Sequence, residues 1–133
     1  MKTPTEKRNE RIWATICDIP KGSVASYGQI ATYVISPRYA RAVGRALKML
    51  TEERAKQVPW QRVINASGRI SARGDVARPV LQEKLLIEEG VIFEASGRVR
   101  FEVFGWAGPP SGWVPPYDEP KPSRMNRKVG RSR

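Results

Sequence analysis

The chemistry open to this chain is bounded first by what it lacks. It has no histidine and one cysteine. Ser-His-Asp and Cys-His arrangements are therefore excluded for want of a base, and a zinc site is short of ligands. The stretch with the most distinctive residue order is Val58-Pro59-Trp60-Gln61-Arg62-Val63-Ile64. Pro59 fixes its own φ and biases Val58 away from helix, so the Trp60 side chain can be aimed into a cavity by stiff backbone. An indole cannot act as a thiolate, and the Gln61 amide beside it cannot act as a general base near neutrality. The stretch suits holding a ligand better than making or breaking a bond.

The remaining composition points to the kind of ligand. There are 24 Lys and Arg against 13 Asp and Glu, a formal charge of +11. Such an excess says nothing about fold but favours a polyanionic partner, either nucleic acid or an acidic membrane surface. No apolar run approaches the roughly 20 residues of a membrane span, and the N-terminus has no apolar signal core. A lone Cys rules out an intrachain disulfide and suits a reducing compartment. These features give the expectation of a cytoplasmic protein, nucleoid-associated if bacterial. The length is that of one domain with a core of its own.

The elements that must position the Trp60 stretch can be read from periodicity. Residues 1–5 are expected to fray. Ile12, Trp13, Ile16, Cys17 and Ile19 share one helical side, which predicts an amphipathic helix over 6–19 with Cys17 as a buried core thiol. Pro20 and Gly22 stop it. Ser26 is placed to cap a helix over 27–35, with Ile30, Ala31 and Val34 inward. After Ser36-Pro37 a second helix spans 39–50, with Ala42, Val43, Ala46, Leu47 and Leu50 inward. Arg38, Arg41, Arg45 and Lys48 lie on the outer face. Two short helices joined by a tight turn read as a helix-turn-helix. Small residues (Ala40, Ala42, Gly44) let the second helix approach another surface closely.

Thr51–Gln57 reads as a connector or a last helical turn. Strand, turn and strand over Gln61–Ile64, Asn65–Gly68 and Arg69–Ser71 predict a small hairpin, a wing beside the helix-turn-helix. A polar loop from Ala72 to Arg78 leads to a helix over 79–89. Val80, Leu81, Leu85 and Leu86 are expected on its core side, and Gly90 as its stop. Alternation from Val91 to Phe104 predicts a terminal β segment or hairpin. The expected fold is mainly α with small β elements, a winged helix-turn-helix over 1–106. Six of the 11 prolines lie between Pro109 and Pro122, and six basic residues follow Pro120. Residues 107–133 therefore read as a Pro-rich basic arm, with Trp113 and Tyr117 placed to pin part of it.

Taken together, Pro59-Trp60-Gln61-Arg62-Val63 resembles the Pro-Cys-His-Arg-Val motif of O6-alkylguanine-DNA alkyltransferases. Trp60 stands where the nucleophilic Cys belongs, the hallmark of the alkyltransferase-like proteins. The resemblance covers roughly residues 8 to 93, with several motifs in the right order. It implies the C-terminal winged helix-turn-helix of those enzymes, laid in the minor groove. The lesion is buried in the stack, so it must be swung out into a pocket.

Residue by residue, the resemblance makes Tyr27 a residue that rotates the phosphate and holds the flipped base. Arg41, in Ala40-Arg41-Ala42-Val43-Gly44, matches the arginine finger that fills the vacated place, a role suited to a planar cation. The carbonyls of Trp60 and Val63 read guanine, Arg62 braces the loop, and Gln61 replaces the activating His. Glu89 matches the carboxylate that orients that His. Arg73 resembles the Arg that alkyltransferase-like proteins carry in the pocket-closing loop, where it donates to O6 or lies against the purine. The implied lesion pocket is Trp60, Arg73, Tyr27, Pro59, Val63, Gln61 and Gly74. The implied DNA contacts are Tyr27, Arg38, Tyr39, Ala40, Arg41 and Arg45.

The expected function is non-enzymatic sensing of O6-alkylguanine in double-stranded DNA, without alkyl transfer, flagging the lesion for nucleotide excision repair. No cofactor and no metal are called for, and a monomer is expected. Three rivals stand beside this reading. One is an active alkyltransferase using Cys17. Another is a sequence-specific winged-helix regulator. The last is a general DNA-coating protein that binds through its basic tail.

Overall fold

Thr3 starts the first helix earlier than the apolar pattern implies. In the computed structural model, which describes residues 1–71 and 77–110, α1 spans Pro4–Ile16. The Thr3 hydroxyl accepts from the Glu6 N–H at 3.1 Å, and the Glu6 carboxylate accepts from the Thr3 N–H at 2.8 Å. This reciprocal cap satisfies two free donors and replaces the frayed start expected for residues 1–5. At the other end α1 stops at Ile16, not Ile19. Cys17 falls on the cap and is exposed, which corrects its reading as a core thiol. Its thiol donates to the Gln57 carbonyl at 3.6 Å.

A two-residue strand β1, Ala25–Ser26, leads into α2, Tyr27–Val34. The Ser26 hydroxyl caps α2 as expected, accepting from the Gln29 N–H at 3.0 Å. A 3-10 turn over Pro37–Tyr39, begun by Ser36, carries the chain into α3, Ala40–Lys48. Ala42, Val43, Ala46 and Leu47 are buried on α3 and Arg41, Arg45 and Lys48 are exposed. The helix-turn-helix thus has the polarity that the periodicity predicts. Trp13 of α1 ties this unit together by donating its indole N–H to the Ala46 carbonyl at 3.0 Å.

Thr51 caps a single helical turn, α4, Glu52–Ala55. Its Arg54 pairs bidentately with Glu10 of α1 and lies 4.8 Å from the Trp13 ring centroid. The Trp60 stretch follows as a 3-10 turn over Trp60–Arg62 and a two-residue strand β2, Val63–Ile64. Here the expected hairpin is corrected. β2 pairs in parallel with β1, Ala25 against Val63 and Ser26 against Ile64. Asn65–Gly68 does turn, with the Asn65 side-chain oxygen accepting from the Ser67 and Arg69 N–H groups. Arg69–Ser71 forms no strand. The sequence there offers too few ladder partners, and Val63 and Ile64 find apolar burial beside β1 instead.

α5 spans Ala77–Glu88 and Gly90 stops it at φ +101°. Its buried side differs from the expectation. Gln82 and Leu86 are buried, while Val80 and Leu81 are 68% and 47% exposed. The face is turned because Gln82 has polar partners inside. The expected terminal hairpin shrinks to one antiparallel bridge, Phe93 with Val99, followed by a helical turn α6, Phe101–Phe104. Glycine is required at Gly68, whose φ is +87° and where a Cβ would lie 2.6 Å from the Val99 carbonyl oxygen.

The interior falls into two clusters that share the β1–β2 pair. Ala25 and Val63 join Ile12, Ile16, Ile30, Val43 and Trp106. Val24 and Ile64 join Leu86, Val91 and Val99. Neighbouring residues of extended chain point to opposite sides, so Val24, just before β1, together with Ala25, Val63 and Ile64, links the two packed groups. Each fully buried Ile or Val stabilises by about 1.5–3 kcal/mol. That burial is what makes the Trp60 turn, fixed directly before β2, stiff. No helix among the described residues is long and apolar enough to cross a membrane.

Candidate nucleic-acid interface

A cleft of about 750 Å³ opens between the outer face of α3 and the Trp60 turn. One wall is Ala40, Arg41, Gly44, Arg45, Leu47 and Lys48, with Tyr27 from the start of α2 beside it. The other is Trp60 and Val63, closed by Ser71, Arg78, Pro79 and Gln82. Trp60 is half-buried: it packs against the first cluster and also lines the cleft. Gly44 leaves α3 low at the cleft edge, since a Cβ there would meet nothing within 4 Å.

Of the residues expected to hold a base or contact DNA, Tyr27, Ala40, Arg41, Arg45, Trp60 and Val63 line this cleft. Arg38 and Tyr39 are exposed on the 3-10 turn that enters α3, outside the lining. Pro59, Gln61 and Arg62 are half-buried and are not among the residues lining the cleft. Arg73 and Gly74 lie outside the described residues, as do Trp113 and Tyr117.

Behind the turn, Glu89 is the hub. The Arg62 guanidinium donates to both Glu89 oxygens at 3.0 Å and, through a third N–H, to the Ile19 carbonyl at 2.7 Å. The Gln61 amide donates to Glu89 at 2.7 Å and the Gly22 N–H at 3.4 Å. Burial alone would raise the Glu89 pKa, but the donors from Arg62, Gln61 and Gly22 outweigh it and hold the carboxyl below its ordinary value. The pair is shielded, with side-chain exposures of 15% and 10%. The Gln61 amide is therefore committed to Glu89, and an amide in that place relays no proton.

Sequence reasoning missed two residues. Gln82 donates to the carbonyls of Gln61 and Val63 at 3.1 and 3.0 Å, so α5 clamps the turn from behind. Its place four residues before Leu86, one helical turn away on the same face, was the available signal. Arg78 holds its guanidinium carbon 4.9 Å from the Trp60 ring centroid, within cation–π range. Nothing in its loop sequence marks it out. Cys17 is not among the cleft residues, and although the residue as a whole is exposed, partial desolvation of its sulfur, followed by the Asp18 charge, raises its pKa. A thiol so placed is a weak nucleophile.

Chemically the cleft offers an aromatic wall, stiff backbone carbonyls and a cationic outer rim, with no activated nucleophile among its described residues. Tyr27 is half-buried, packed against the first cluster, and lines the cleft from the start of α2. Tyr27→Phe is expected to cost about 0.5–1.5 kcal/mol of DNA affinity, the worth of one neutral hydrogen bond, measurable by fluorescence anisotropy at fixed salt. An unchanged affinity would place that hydroxyl outside the interface.

Comparison with known proteins gives a consistent result. Residues 7–91 match the family model described as 6-O-methylguanine DNA methyltransferase, DNA binding domain. Alkyltransferase-like protein 1 of Schizosaccharomyces pombe is 47% identical over 87 residues, 65% of this chain and 79% of the relative. The DNA base-flipping protein of Escherichia coli is 38% identical over 113 residues, 79% of this chain and 84% of the relative. The crystal structure of S. pombe Atl1 in complex with damaged DNA containing O6-carboxymethylguanine matches with a TM-score of 0.67 at 38% identity. It covers 80% of this chain and 98% of that one.

Proposed function

The chain belongs to the alkyltransferase-like branch of the 6-O-methylguanine DNA methyltransferase DNA-binding-domain family, and from that membership we propose how this non-enzymatic DNA-lesion binder works. It swings O6-alkylguanine out of the duplex through the minor groove and holds it against Trp60. It releases the base chemically unchanged and marks the site for nucleotide excision repair. The observation that carries this reading is Trp60 itself, half-buried on the wall of the cleft that faces the cationic side of α3.

Cations on α3 take up phosphates, which position the duplex without reading it. Arg41 fills the place the base leaves, and the carbonyls of Trp60 and Val63 read the purine edge. With Trp60 at the nucleophile's place and Gln61 beside it, nothing there can accept the alkyl carbon. A cavity freed from aligning that carbon with a sulfur tolerates larger substituents. The held, bent duplex is the signal for repair proteins.

One titration and one transfer assay test the reading. Trp60 emission should quench on adding an O6-methylguanine duplex and respond little to the matched undamaged duplex. Label on the O6-methyl group should stay on the DNA. Label moving to the protein, and absent from it in Cys17→Ala, would establish an alkyltransferase instead. The excision-repair step is tested in cells, where loss of the protein should sensitise to alkylation only while that pathway is intact.

The basic arm contributes affinity without discrimination in this scheme. Residues 107–133 carry six Lys and Arg and two Asp and Glu. Removing them should shallow the dependence of log affinity on log salt by about 0.9 for each phosphate that the arm neutralises. The ratio of damaged to undamaged affinity should persist. Its disappearance on deletion would favour a tail-driven coating protein.

A further inference from the structure

We infer that Gln82 is a specificity-determining residue that touches the base: its side-chain oxygen accepts from the exocyclic amine at C2 of the swung-out purine. This rests on the reading above, that O6-alkylguanine is the occupant.

Gln82 stands in the second turn of α5 and is only 7% exposed, yet it lines the cleft with Trp60 and Val63. Its amide nitrogen carries two hydrogens. Two acceptors meet them, the Gln61 carbonyl at 3.1 Å and the Val63 carbonyl at 3.0 Å. Turned over, the amide would set its oxygen against both carbonyl oxygens, acceptor facing acceptor. The orientation is therefore fixed, and the oxygen is the end of the amide that the turn does not use.

No donor among the described residues meets that oxygen. The fully enclosed side-chain atoms without a partner among the described residues are Nε of Arg8 and Nε of Arg11, both on α1. The Gln82 oxygen is not one of them, so it keeps an opening, and the cleft is the opening that its residue lines. An acceptor on a nearly buried side chain, held still by two hydrogen bonds and left unpaired, is a place for a donor from outside.

One group on the proposed occupant can supply that donor. Alkylation at O6 removes the proton from N1 of guanine, N9 is bonded to the sugar, and N3 and N7 are acceptors. The amine at C2 is the donor that remains. Arg41, Arg45 and Lys48 in the lining are donors and cannot take it. The Tyr27 and Ser71 hydroxyls can donate or accept, so among these side chains the Gln82 oxygen is the one that selects for a donor. A base without the amine leaves that acceptor unpaired and is disfavoured for it.

The test uses the full chain as wild type, Gln82→Lys and Gln82→Met, at one salt concentration. Each protein is titrated with duplexes of one sequence whose central base is guanine, O6-methylguanine or 6-methoxypurine. The last is O6-methylguanine with hydrogen in place of the amine. Lysine keeps donors for the two carbonyls and removes the acceptor, whereas methionine removes both. The cost of opening each duplex belongs to the DNA and is common to the three proteins. The readout is therefore the change, from protein to protein, in the ratio of O6-methylguanine to 6-methoxypurine affinity. That ratio should fall about fivefold in both variants, the scale of one neutral hydrogen bond. Melting curves check that each variant is folded, and the lysine variant serves alone if methionine is not tolerated. A ratio unchanged by the substitutions would overturn the inference. So would a fall in Gln82→Met that Gln82→Lys fully restores, since the residue would then only clamp the turn. If O6-methylguanine binds no better than guanine in the wild type, the O6-alkylguanine reading itself fails and this inference falls with it.

Discussion

Replacing Arg41 with alanine is expected to weaken binding to an O6-methylguanine duplex by about 10- to 100-fold. That range corresponds to removing a charged hydrogen-bond donor worth about 1.5–3 kcal/mol. The side chain is exposed on the outer face of α3, at the cleft. Alanine is at least as good a helix former, so the fold should not suffer and the effect should report on DNA alone. The flipped state needs something in the vacated place in the stack. Without Arg41 the base should return to its partner, and affinity for damaged duplex should fall further than affinity for undamaged duplex. Anisotropy titrations at one salt concentration, with melting curves as control, check this. A parallel fall on both duplexes would reduce Arg41 to an ordinary phosphate ligand.

The largest expected effect on stability comes from Glu89. Glu89→Gln removes the charge that Arg62 faces and leaves a shielded guanidinium without its counterion. Breaking such a pair costs about 3–5 kcal/mol when buried. A drop in Tm of roughly 10 °C or more is expected for a domain of this size. The turn that carries Trp60 should loosen with it, because Glu89 also receives Gln61 and Gly22.

The same carboxylate sets an acid limit. Its folded pKa lies below the ordinary 4.5. Its contribution is therefore complete above the unfolded value and disappears as pH falls through the lower folded one. Glu10, lowered chiefly by its hydrogen bond to Arg54, acts in the same direction from a more exposed position. The native protein should lose stability steeply below about pH 4.5. Glu89→Gln should show a flatter acid limb, and identical limbs for the two proteins would remove Glu89 from that account.

Much of the architecture was legible because it rests on local rules. The helix-turn-helix follows from two apolar stripes of period 3.6, a Ser cap at Ser26 and a Pro break at Pro37. The stop at Gly90 follows from a backbone conformation that favours glycine. Expectations failed where the outcome depended on residues far apart in the chain. Val63 and Ile64 had to choose between a local hairpin and a distant partner, and apolar burial on both sides of β1 decided for the partner. α5 was read with Leu81 inward because Leu is the apolar residue there. The carbonyls of Gln61 and Val63 instead draw Gln82 inside. Cys17 lay on a plausible stripe, but the helix ended one residue before it.

What the sequence determined by itself is the chemistry: no histidine base, a Trp where a nucleophile would stand, an excess of cations and a helix pair with one charged face. Those are properties of residue identity and spacing, and they survive any packing. What only the tertiary structure decided is which side chains share one space. Arg78 stacks on Trp60, Gln82 clamps its turn, and Glu89 gathers Gln61, Arg62 and Gly22. These pairings join residues as far as 67 positions apart. They are set by the burial of two apolar clusters around the β1–β2 pair, which brings together segments far apart in the chain.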